Sequence, residues 1–310
     1  GVRENNFLGR GIKLDANLQF SETAIRGKFS VVNPNYNYSG NEIRFTAEST
    51  RTSKMTTFGY DSSKTGFSLG TTFEQYEDIF ISPDLSAYYE SLSTNDNASE
   101  ALKQQEGTYI DTELRYSIIQ DKRDQSFKPT EGYRASFNQK LPLYSESPSL
   151  INGIDYSAYH SFSDNFIGSL RFHGRTINSL SSSEDVKLSE RLSIPGRYLR
   201  GFEVGKIGPV DASDYIGGNY VTALGFNAAL PKLLPNLTNA DVSLFLDTGN
   251  VWGIDYDTNI DESNKLRSAF GVSVDWFTPI GPLSFSFSEA ITSASTDKPE
   301  SFRFNIGTTF

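Results

Sequence analysis

Two stretches near the end of the chain, LSFSFS at residues 283–288 and SFRFNIGTTF at residues 301–310, alternate apolar and polar side chains. A period of two indicates a β-strand, because successive side chains of a strand point to opposite faces. The intervening ITSASTDKPE is rich in turn formers and is interpreted as a loop. In the second stretch the mostly apolar face carries Phe302, Phe304, Ile306, Thr308 and Phe310.

The same alternation recurs along the whole chain. We expect about fourteen strands and an extended stub at residues 1–7, and no amphipathic helix of three turns competes with them. The fold class is therefore all-β. Besides the two stretches above, the predicted strands are 12–20, 25–33, 41–50, 65–74, 77–89, 108–118, 132–141, 153–162, 166–175, 219–230, 241–247 and 264–277.

The polar face of these strands carries Arg, Lys, Asp, Glu and Asn on strand after strand. No run approaches the roughly 18 apolar residues of a membrane helix, so the chain is either soluble or a membrane β-barrel. In a barrel the polar face must line a wet lumen, because a charge facing lipid at mid-depth costs about 2–4 kcal/mol. In a soluble sandwich the assignment reverses and the apolar face becomes the core.

Two patterns favour a transmembrane antiparallel β-barrel. Connections alternate between short and long, as they do between the periplasmic and external sides of outer-membrane barrels. TPIG, SDNF and QYED are short, whereas SASTDKPE, residues 91–107 and residues 177–218 are long. This order predicts a periplasmic C-terminus. Aromatic side chains also gather near the predicted strand ends, as girdle residues do, namely Tyr88, Tyr89, Tyr116, Trp252 and Trp276.

Composition excludes several function classes. The formal net charge of −10 argues against nucleic acid as a partner, and the absence of Cys excludes disulfides, thiolate catalysis and Cys-type zinc sites. His160 and His173, the two histidines, are predicted on opposite faces, so they cannot converge on a metal or form a dyad. Neither a clustered nucleophile and base nor a phosphate-binding glycine loop is present. We expect a protein that is not an enzyme and holds no cofactor or metal.

Several stretches carry a family likeness when they are taken in order: NNFLGRG (5–11), VVNPNYNYSGNEIRF (31–45), DKRDQSFKPTEGYR (121–134), LRGF (199–202), FLDTGNVW (245–252) and WFTPIGPLSFSF (276–287), before the final strand ending in Phe310. Their order and spacing resemble the barrel domain of the BamA family of outer-membrane assembly factors. The likeness covers essentially the whole chain and extends to the TamA and two-partner secretion relatives.

The resemblance implies a sixteen-stranded barrel. Aligned to it, residues 1–7 are the end of the second strand, so the first strand and most of the second are missing. We therefore expect residues 1–310 to be the barrel domain of a longer protein, without the POTRA domains that precede it in the family. Residues 177–218 are expected to form a long loop folded into the lumen.

The resemblance also implies a loop anchor made by the signature Leu199, Arg200, Gly201 and Phe202. Its arginine is expected to pair with Asp247 of the FxDxG motif, whose three fixed residues are Phe245, Asp247 and Gly249. Relatives place a second acid where this chain has Asn227, an inward-facing residue that accepts a hydrogen bond but carries no charge. The alternative is an exposed loop arginine that contributes almost nothing to stability.

Two further sites follow from the likeness. One is a periplasmic turn that docks partners, for which ordinary turn chemistry is the alternative, with residues Asp121, Arg123, Asp124, Pro129 and Gly132. The other is a terminal seam strand, in which Gly307 weakens pairing and Phe310 resembles an assembly signal. Its residues are Phe302, Phe304, Ile306, Gly307 and Phe310.

The function implied is insertion and folding of β-barrel proteins into the outer membrane of a Gram-negative-type bacterium, through a lateral seam between the first and last strands. The expected partners are unfolded barrel substrates, accessory lipoproteins, and outer-membrane lipid with lipopolysaccharide. A protein-translocating secretion pore, TamA-like or of the two-partner type, is the alternative. A passive porin is a third class, since a porin favours a charged constriction loop over an LRGF plug.

Overall fold

Fifteen antiparallel strands form one continuous sheet, in which each strand pairs with the strand that follows it along the chain. The computed structural model describes residues 1–21, 23–182, 185–231, 233–234, 239–256, 260, 265–278 and 281–306. The sheet order is β1 to β10 and then β13 to β17, while β11 and β12 form a separate two-stranded ribbon inside the longest loop. The predicted strand number, fourteen and a stub, is therefore confirmed within the main sheet.

The strands of the first half are β1 (Val2–Phe7), β2 (Ile12–Phe20), β3 (Ala24–Asn33), β4 (Glu42–Lys54), β5 (Tyr60–Tyr76), β6 (Ile79–Thr94), β7 (Gly107–Asp121) and β8 (Gly132–Ser145). Those of the second half are β9 (Ser149–Ser163), β10 (Phe166–Ser179), β11 (Val210–Asp211), β12 (Asp214–Tyr215), β13 (Tyr220–Leu230), β14 (Ala240–Trp252), β15 (Arg267–Thr278), β16 (Gly281–Thr292) and β17 (Phe302–Ile306). Short helices occupy Met55–Phe58 and Glu100–Lys103, with 3₁₀ turns at Tyr36–Tyr38 and Leu188–Glu190. No helix in the described ranges is long and apolar enough to cross a membrane.

The alternation in sequence becomes an apolar outer face and a polar inner face. On β14, Leu244 and Leu246 are exposed to the outside, whereas Ser243 and Asp247 are buried inside. On β13, Phe226 lies opposite Leu246 and faces out with it. This arrangement confirms the barrel assignment over the sandwich, because it is the polar face that the strands enclose.

The sheet curves enough to enclose a lumen. One cavity of about 440 Å³ is lined by side chains from β3 through β10, including Arg26 at one side and Arg175 at the other. Most of the residues that line it are polar, and several more are charged, among them Asp84 and Arg115. In a flat sheet, β3 and β10 would be too far apart to line the same cavity. The sheet is therefore curved, as the wall of a barrel is.

The strands β5 and β6 run further than the alternation predicted, and three of the aromatic residues predicted near strand ends lie elsewhere. Tyr88 is not at a strand end: it lies within β6, is 5% exposed and faces inward. Its ring lies under the charges of Lys64 and Arg115, at 4.8 and 4.7 Å. Tyr89 of β6 and Tyr116 of β7 likewise lie inside their strands rather than at the ends.

The inner face becomes apolar towards one end of β5 and β6, which explains why the alternation predicted these two strands too short. There Tyr60 and Leu92 point inward and pack on the loops, in a cluster with Ala98, Leu102, Leu188 and Ile216. A rule that places apolar residues on lipid and polar residues in the lumen fails where loops fill the lumen. The inner face is then apolar because it is a packed core.

A charge test separates the two faces. Leu246→Lys should destabilise the membrane-inserted barrel by about 2–4 kcal/mol, because the ammonium would face lipid near the middle of β14. Ser82→Lys is the matched control, since Ser82 lines the wet cavity beside Asp84. Unfolding of both variants by denaturant in lipid vesicles, read by heat-modifiable gel mobility, measures the difference. Equal destabilisation by the two lysines would contradict the assignment of faces.

Candidate functional site

The longest connection, residues 180–219 between β10 and β13, folds against the inner wall, and we call it the lumen loop. Its Leu199 and Phe202 are almost completely buried, with Phe202 only 2% exposed. They pack in an apolar cluster with wall residues of β13, β14 and β15, namely Val221, Ala223, Val251 and Ala269. The signature LRGF is therefore packed on the wall rather than exposed to solvent.

Gly201 allows this close approach. Its φ is +88°, a left-handed conformation that glycine adopts freely and other residues rarely do. A Cβ at this position would also collide with the Cβ of Ala269 on β15. Both the backbone angle and the available space therefore require glycine next to Arg200.

Arg200 binds Asp247 with a bidentate fork. Its Nε donates to Oδ2 at 2.7 Å and its Nη2 donates to Oδ1 at 2.8 Å. The backbone N–H of Arg200 donates to the same Oδ2 at 3.1 Å. Asp247 is 0% exposed, so its carboxylate exchanges water for three protein donors. Planar guanidinium and carboxylate groups match in this geometry, which fixes the direction of the loop as well as its position.

Two neighbours on the wall complete the guanidinium site. Asn227, which pairs with Phe245 across β13 and β14, accepts a hydrogen bond from Arg200 Nη2 at 2.7 Å. The Phe245 ring lies beneath the guanidinium, 3.6 Å from its Cζ to the ring centroid. Sequence reasoning gave Phe245 no role beyond its place in the motif. The third motif residue, Gly249, leaves room for the loop, because a Cβ there would lie 2.8 Å from Ile194 Cδ1.

A second anchor, which sequence reasoning missed, fastens the lumen loop to the wall at β6 and β7. Lys187 is 2% exposed, and its Nζ lies 2.6 Å from Asp111 Oδ2 and 3.4 Å from Glu90 Oε2. Nearby, Glu190 accepts from Ser149 Oγ at 2.5 Å and pairs with Lys140. The alternation in residues 108–118 predicted that Asp111 faces inward, but no pattern in the neighbouring sequence indicated Lys187 as its partner.

The carboxylates of this second anchor do not make a case for a metal. Oxygens of Asp111, Glu113 and Glu190 lie within 4.8 Å of one another. Lysine ammonium groups already occupy the space between them: Lys187 contacts Asp111, and Lys140 lies 3.3 Å from Glu113. The cluster is a charge network between loop and wall, and the expected absence of a metal stays a prediction.

The two histidines do not meet. His173 is buried on β10, where its Nδ1 lies 2.6 Å from Asp155 Oδ1 and its ring stacks on Tyr198 of the lumen loop at 4.4 Å. The Tyr198 hydroxyl donates to the same Asp155 oxygen at 3.1 Å. His160 is exposed and contacts Glu131. His173 therefore belongs to a third attachment of the lumen loop, and His160 to the turn discussed next.

The turn between β7 and β8 is held by its own side chains. Arg123 donates to both oxygens of Asp121, at 2.8 and 2.6 Å. Asp124 accepts the backbone N–H of Thr130 at 3.0 Å and its hydroxyl at 2.8 Å. The Thr130 hydroxyl bond, with backbone N–H groups, lowers the pKa of Asp124 below its ordinary value. Gly132 follows with φ +91°, and a Cβ there would collide with the Lys122 carbonyl. Pro129 is half-buried.

The same turn reaches across the barrel end. Phe127 packs edge-on against Phe277 at the end of β15, with ring centroids 5.0 Å apart. Lys128 pairs with Asp241 of β14 and lies 4.3 Å from the Phe277 ring. Because β9, β10 and β13 lie between these strands in the sheet, the turn passes beneath the lumen over their ends. A role for this turn in docking partners stays a prediction.

The terminal strand presents its phenylalanines outward. Phe302 is 48% and Phe304 is 43% exposed, and their rings pack on Phe287 and Phe285 of β16 at 5.0 Å each. The backbone of Ile306 pairs with Leu283. The predicted roles of Gly307 and Phe310 fall outside the described residues.

A family model, the Omp85 superfamily domain, matches residues 6–310. The chain belongs to the Omp85 superfamily. It is similar to the outer membrane protein assembly factor BamA of Neorickettsia risticii, at 27% identity over 220 residues, which are 69% of this chain and 29% of that protein. BamA of Nitratidesulfovibrio vulgaris is 26% identical over 229 residues, 70% of this chain and 28% of the relative. BamA of Neisseria meningitidis is 26% identical over 226 residues, 61% of this chain and 28% of the relative.

Solved structures agree on the fold. BamA from Haemophilus ducreyi lacking POTRA domains 1–3 has a TM-score of 0.87 at 22% identity, covering 97% of this chain and 65% of that chain. CdiB from Acinetobacter baumannii has a TM-score of 0.59 at 13% identity, covering 98% and 55%. The chain spans less than a third of the length of the curated relatives that it matches. It is an outer-membrane β-barrel domain of the Omp85 superfamily.

A double-mutant cycle tests the first anchor. Arg200→Ala and Asp247→Ala should each destabilise the folded barrel by about 3–5 kcal/mol, because each leaves a buried charge without its partner. The double variant should cost much less than the sum of the two. Denaturant unfolding in vesicles measures the three free energies. Additive effects would contradict a direct pair.

Arg200→Lys is the control for geometry. It keeps the charge but cannot donate to Asp247 and Asn227 in one plane, so most of the destabilisation should remain. Asn227→Ala removes one neutral acceptor from a guanidinium that keeps its carboxylate, and should cost about 1.5–3 kcal/mol.

Proposed function

We propose that the chain is the membrane domain of a factor that inserts and folds other β-barrel proteins in the outer membrane. The observation that carries the proposal is the LRGF loop seated on the FxDxG strand through Arg200 and Asp247, in a chain whose curated relatives are BamA proteins. Since the chain spans less than a third of those relatives, substrates and partners are inferred from them and not from the chain alone.

The chemistry of this function is strand pairing. In the described part of the chain, β17 pairs with β16, and an open seam would leave the backbone donors and acceptors of its other edge free. An unfolded barrel protein carries strands that need such partners, because an unpaired backbone group in lipid costs several kcal/mol. Addition of an incoming strand to the β17 edge would satisfy both sets of groups. The lateral seam between first and last strands is the place where this addition is proposed.

Orientation and partners follow from the same proposal. The short connections are placed on the periplasmic side, so that β17 ends there and unfolded substrates approach from there. Accessory lipoproteins would bind near the turn that joins β7 and β8, whose geometry is fixed by Asp124. Outer-membrane lipid and lipopolysaccharide would surround the apolar face, where a short strand end thins the bilayer and lowers the barrier to insertion.

A protein-translocating secretion pore is the second candidate, because the motif likeness of the chain extends to secretion relatives. Two features of the barrel interior favour insertion at the wall over passage through the lumen. The lumen loop is bonded to β7 through Lys187 and to β14 through Arg200. The turn at residues 122–131 also crosses one end of the barrel to reach Asp241. A polypeptide could cross the lumen only after both had moved.

Reconstitution distinguishes the two candidates. The chain is placed in lipid vesicles, and a urea-denatured eight-stranded test barrel is added from outside. We expect faster folding of the test barrel than in empty vesicles, read by heat-modifiable mobility. Vesicles that contain the Leu246→Lys variant show whether a poorly inserted barrel is enough to accelerate folding. Vesicles that contain a porin of similar size control for acceleration by lipid defects.

The Arg200→Ala variant should lose most of the acceleration while it remains inserted. Entry of a water-soluble unfolded polypeptide into the vesicle, without folding of the test barrel, would instead favour the secretion pore. Folding no faster than with the porin would overturn the proposed function.

A further inference from the structure

The last described strand is tied to the lumen loop by one side chain, Arg303. It lies on the inner face of β17, between the outward Phe302 and Phe304. Its Nη1 donates to the Gly196 carbonyl at 2.9 Å, and its Nη2 donates to the Phe202 carbonyl. Its Nε donates to Glu300 Oε2 at 2.7 Å, which aims the guanidinium at the loop.

The two carbonyls lie at the two ends of the segment that carries Arg200. One guanidinium therefore closes residues 196–202 into a turn, with Arg200 projecting from it towards Asp247. The approach is close: a Cβ on Gly196 would lie 2.7 Å from Arg303 Nη1. Arg303 shapes the turn that presents Arg200, and it does so from the terminal strand.

Backbone pairing reinforces the tie. The connection leading into β17, residues 293–301, runs beside the lumen loop. Glu300 N–H donates to Gly201 O at 2.9 Å, and Glu203 N–H donates to Lys298 O at 2.9 Å. Farther back, Asp297 accepts both Nε and Nη2 of the buried Arg267 on β15, at 2.9 and 3.0 Å. The connection is thus fixed to the loop on one side and to the wall on the other.

We propose that Arg303 is a latch that couples the seam strand β17 to the lumen loop. When the seam is open, β17 has a hydrogen-bond ladder on one side only, so contacts from outside the sheet contribute much of what holds it in place. Movement of β17 away from the wall must break the two carbonyl contacts or take the turn with it. Displacement of the turn from Asp247 must likewise loosen β17. Coupling of this kind is reciprocal.

The coupling itself stands on contacts alone, whereas its meaning for assembly rests on the proposed function. If β17 templates incoming strands, the latch sets how readily that edge moves, and the loop anchor is the control point. Arg303 is then a positioning residue that acts on the seam through the turn at residues 196–202.

Hydrogen exchange of the barrel in lipid vesicles tests the latch. Arg303→Ala should speed amide exchange both in β17 and in residues 196–202 by about tenfold, the effect expected when charge-assisted hydrogen bonds are lost. Asn305→Ala is the matched control, because Asn305 is the next inward position on the same strand and makes none of these contacts with the loop. Unchanged exchange in β17 of Arg303→Ala would overturn the proposal.

Reciprocity provides the second arm. Arg200→Ala should speed exchange in β17, although the hydrogen bonds of the Arg200 side chain go to β13 and β14. Lys187→Ala, which removes the ion pairs of the loop with β6 and β7 instead, should leave β17 unchanged. If Arg200→Ala loosens residues 196–202 but not β17, the coupling is wrong.

Arg303→Lys is a second variant, in case Arg303→Ala fails to insert into the vesicles. It keeps the charge and most of the stem, but one ammonium cannot span both carbonyls, so intermediate exchange is expected. The exchange measurement requires no assembly activity. A chain that fails to accelerate folding of the test barrel can therefore still pass this test, and failure here leaves the proposed function standing.

Discussion

The Arg200–Asp247 pair is the interaction on which the arrangement of the interior depends. A fully buried carboxylate on the barrel wall needs donors, and in the described part of the chain the hydrogen bonds to Asp247 come from the lumen loop. The fork of Arg200 supplies two and its backbone a third, which obliges the loop to enter the lumen. Gly201 is then required by space, because a Cβ there would meet the Cβ of Ala269 on the wall, and Gly249 leaves room for the Ile194 side chain of the loop.

Once inside, the lumen loop acts as the core that a barrel otherwise lacks. Phe202 and Leu199 pack on β13 to β15, while Leu188 and Ile216 pack on the inner face of β5 and β6. Lys187, Tyr198 and Arg200 then attach it to three different parts of the wall. Three attachments hold the loop more firmly than any one of them would. Once one attachment has formed, the loop loses less conformational freedom in forming the next.

The sequence predicted the wall better than it predicted the interior. A period of two predicts both the number of strands and which alternate side chains face the lumen. That alternation by itself assigns Asn227 and Asp247 to the lumen side. The motif likeness supplied the partner of Arg200. Lys187, Tyr198 and Arg303 were missed because their partners are set by the path of a long loop, for which sequence has no local period. The ends of β5 and β6 were missed because the inner face turns apolar where that loop packs.

The use of ions at the anchor has its own physical reason. A buried ion pair is weak support for stability, because desolvation offsets much of the attraction and apolar residues of similar volume often serve as well. What apolar contact lacks is direction. Phe202 could slide along the β13–β15 surface at little cost, whereas the fork at Asp247, the acceptor at Asn227 and the ring of Phe245 admit one placement of Arg200. That placement fixes Gly196 and Phe202, whose carbonyls in turn fix Arg303. The charged pair therefore specifies where the loop sits, and through the loop it specifies where the terminal strand begins.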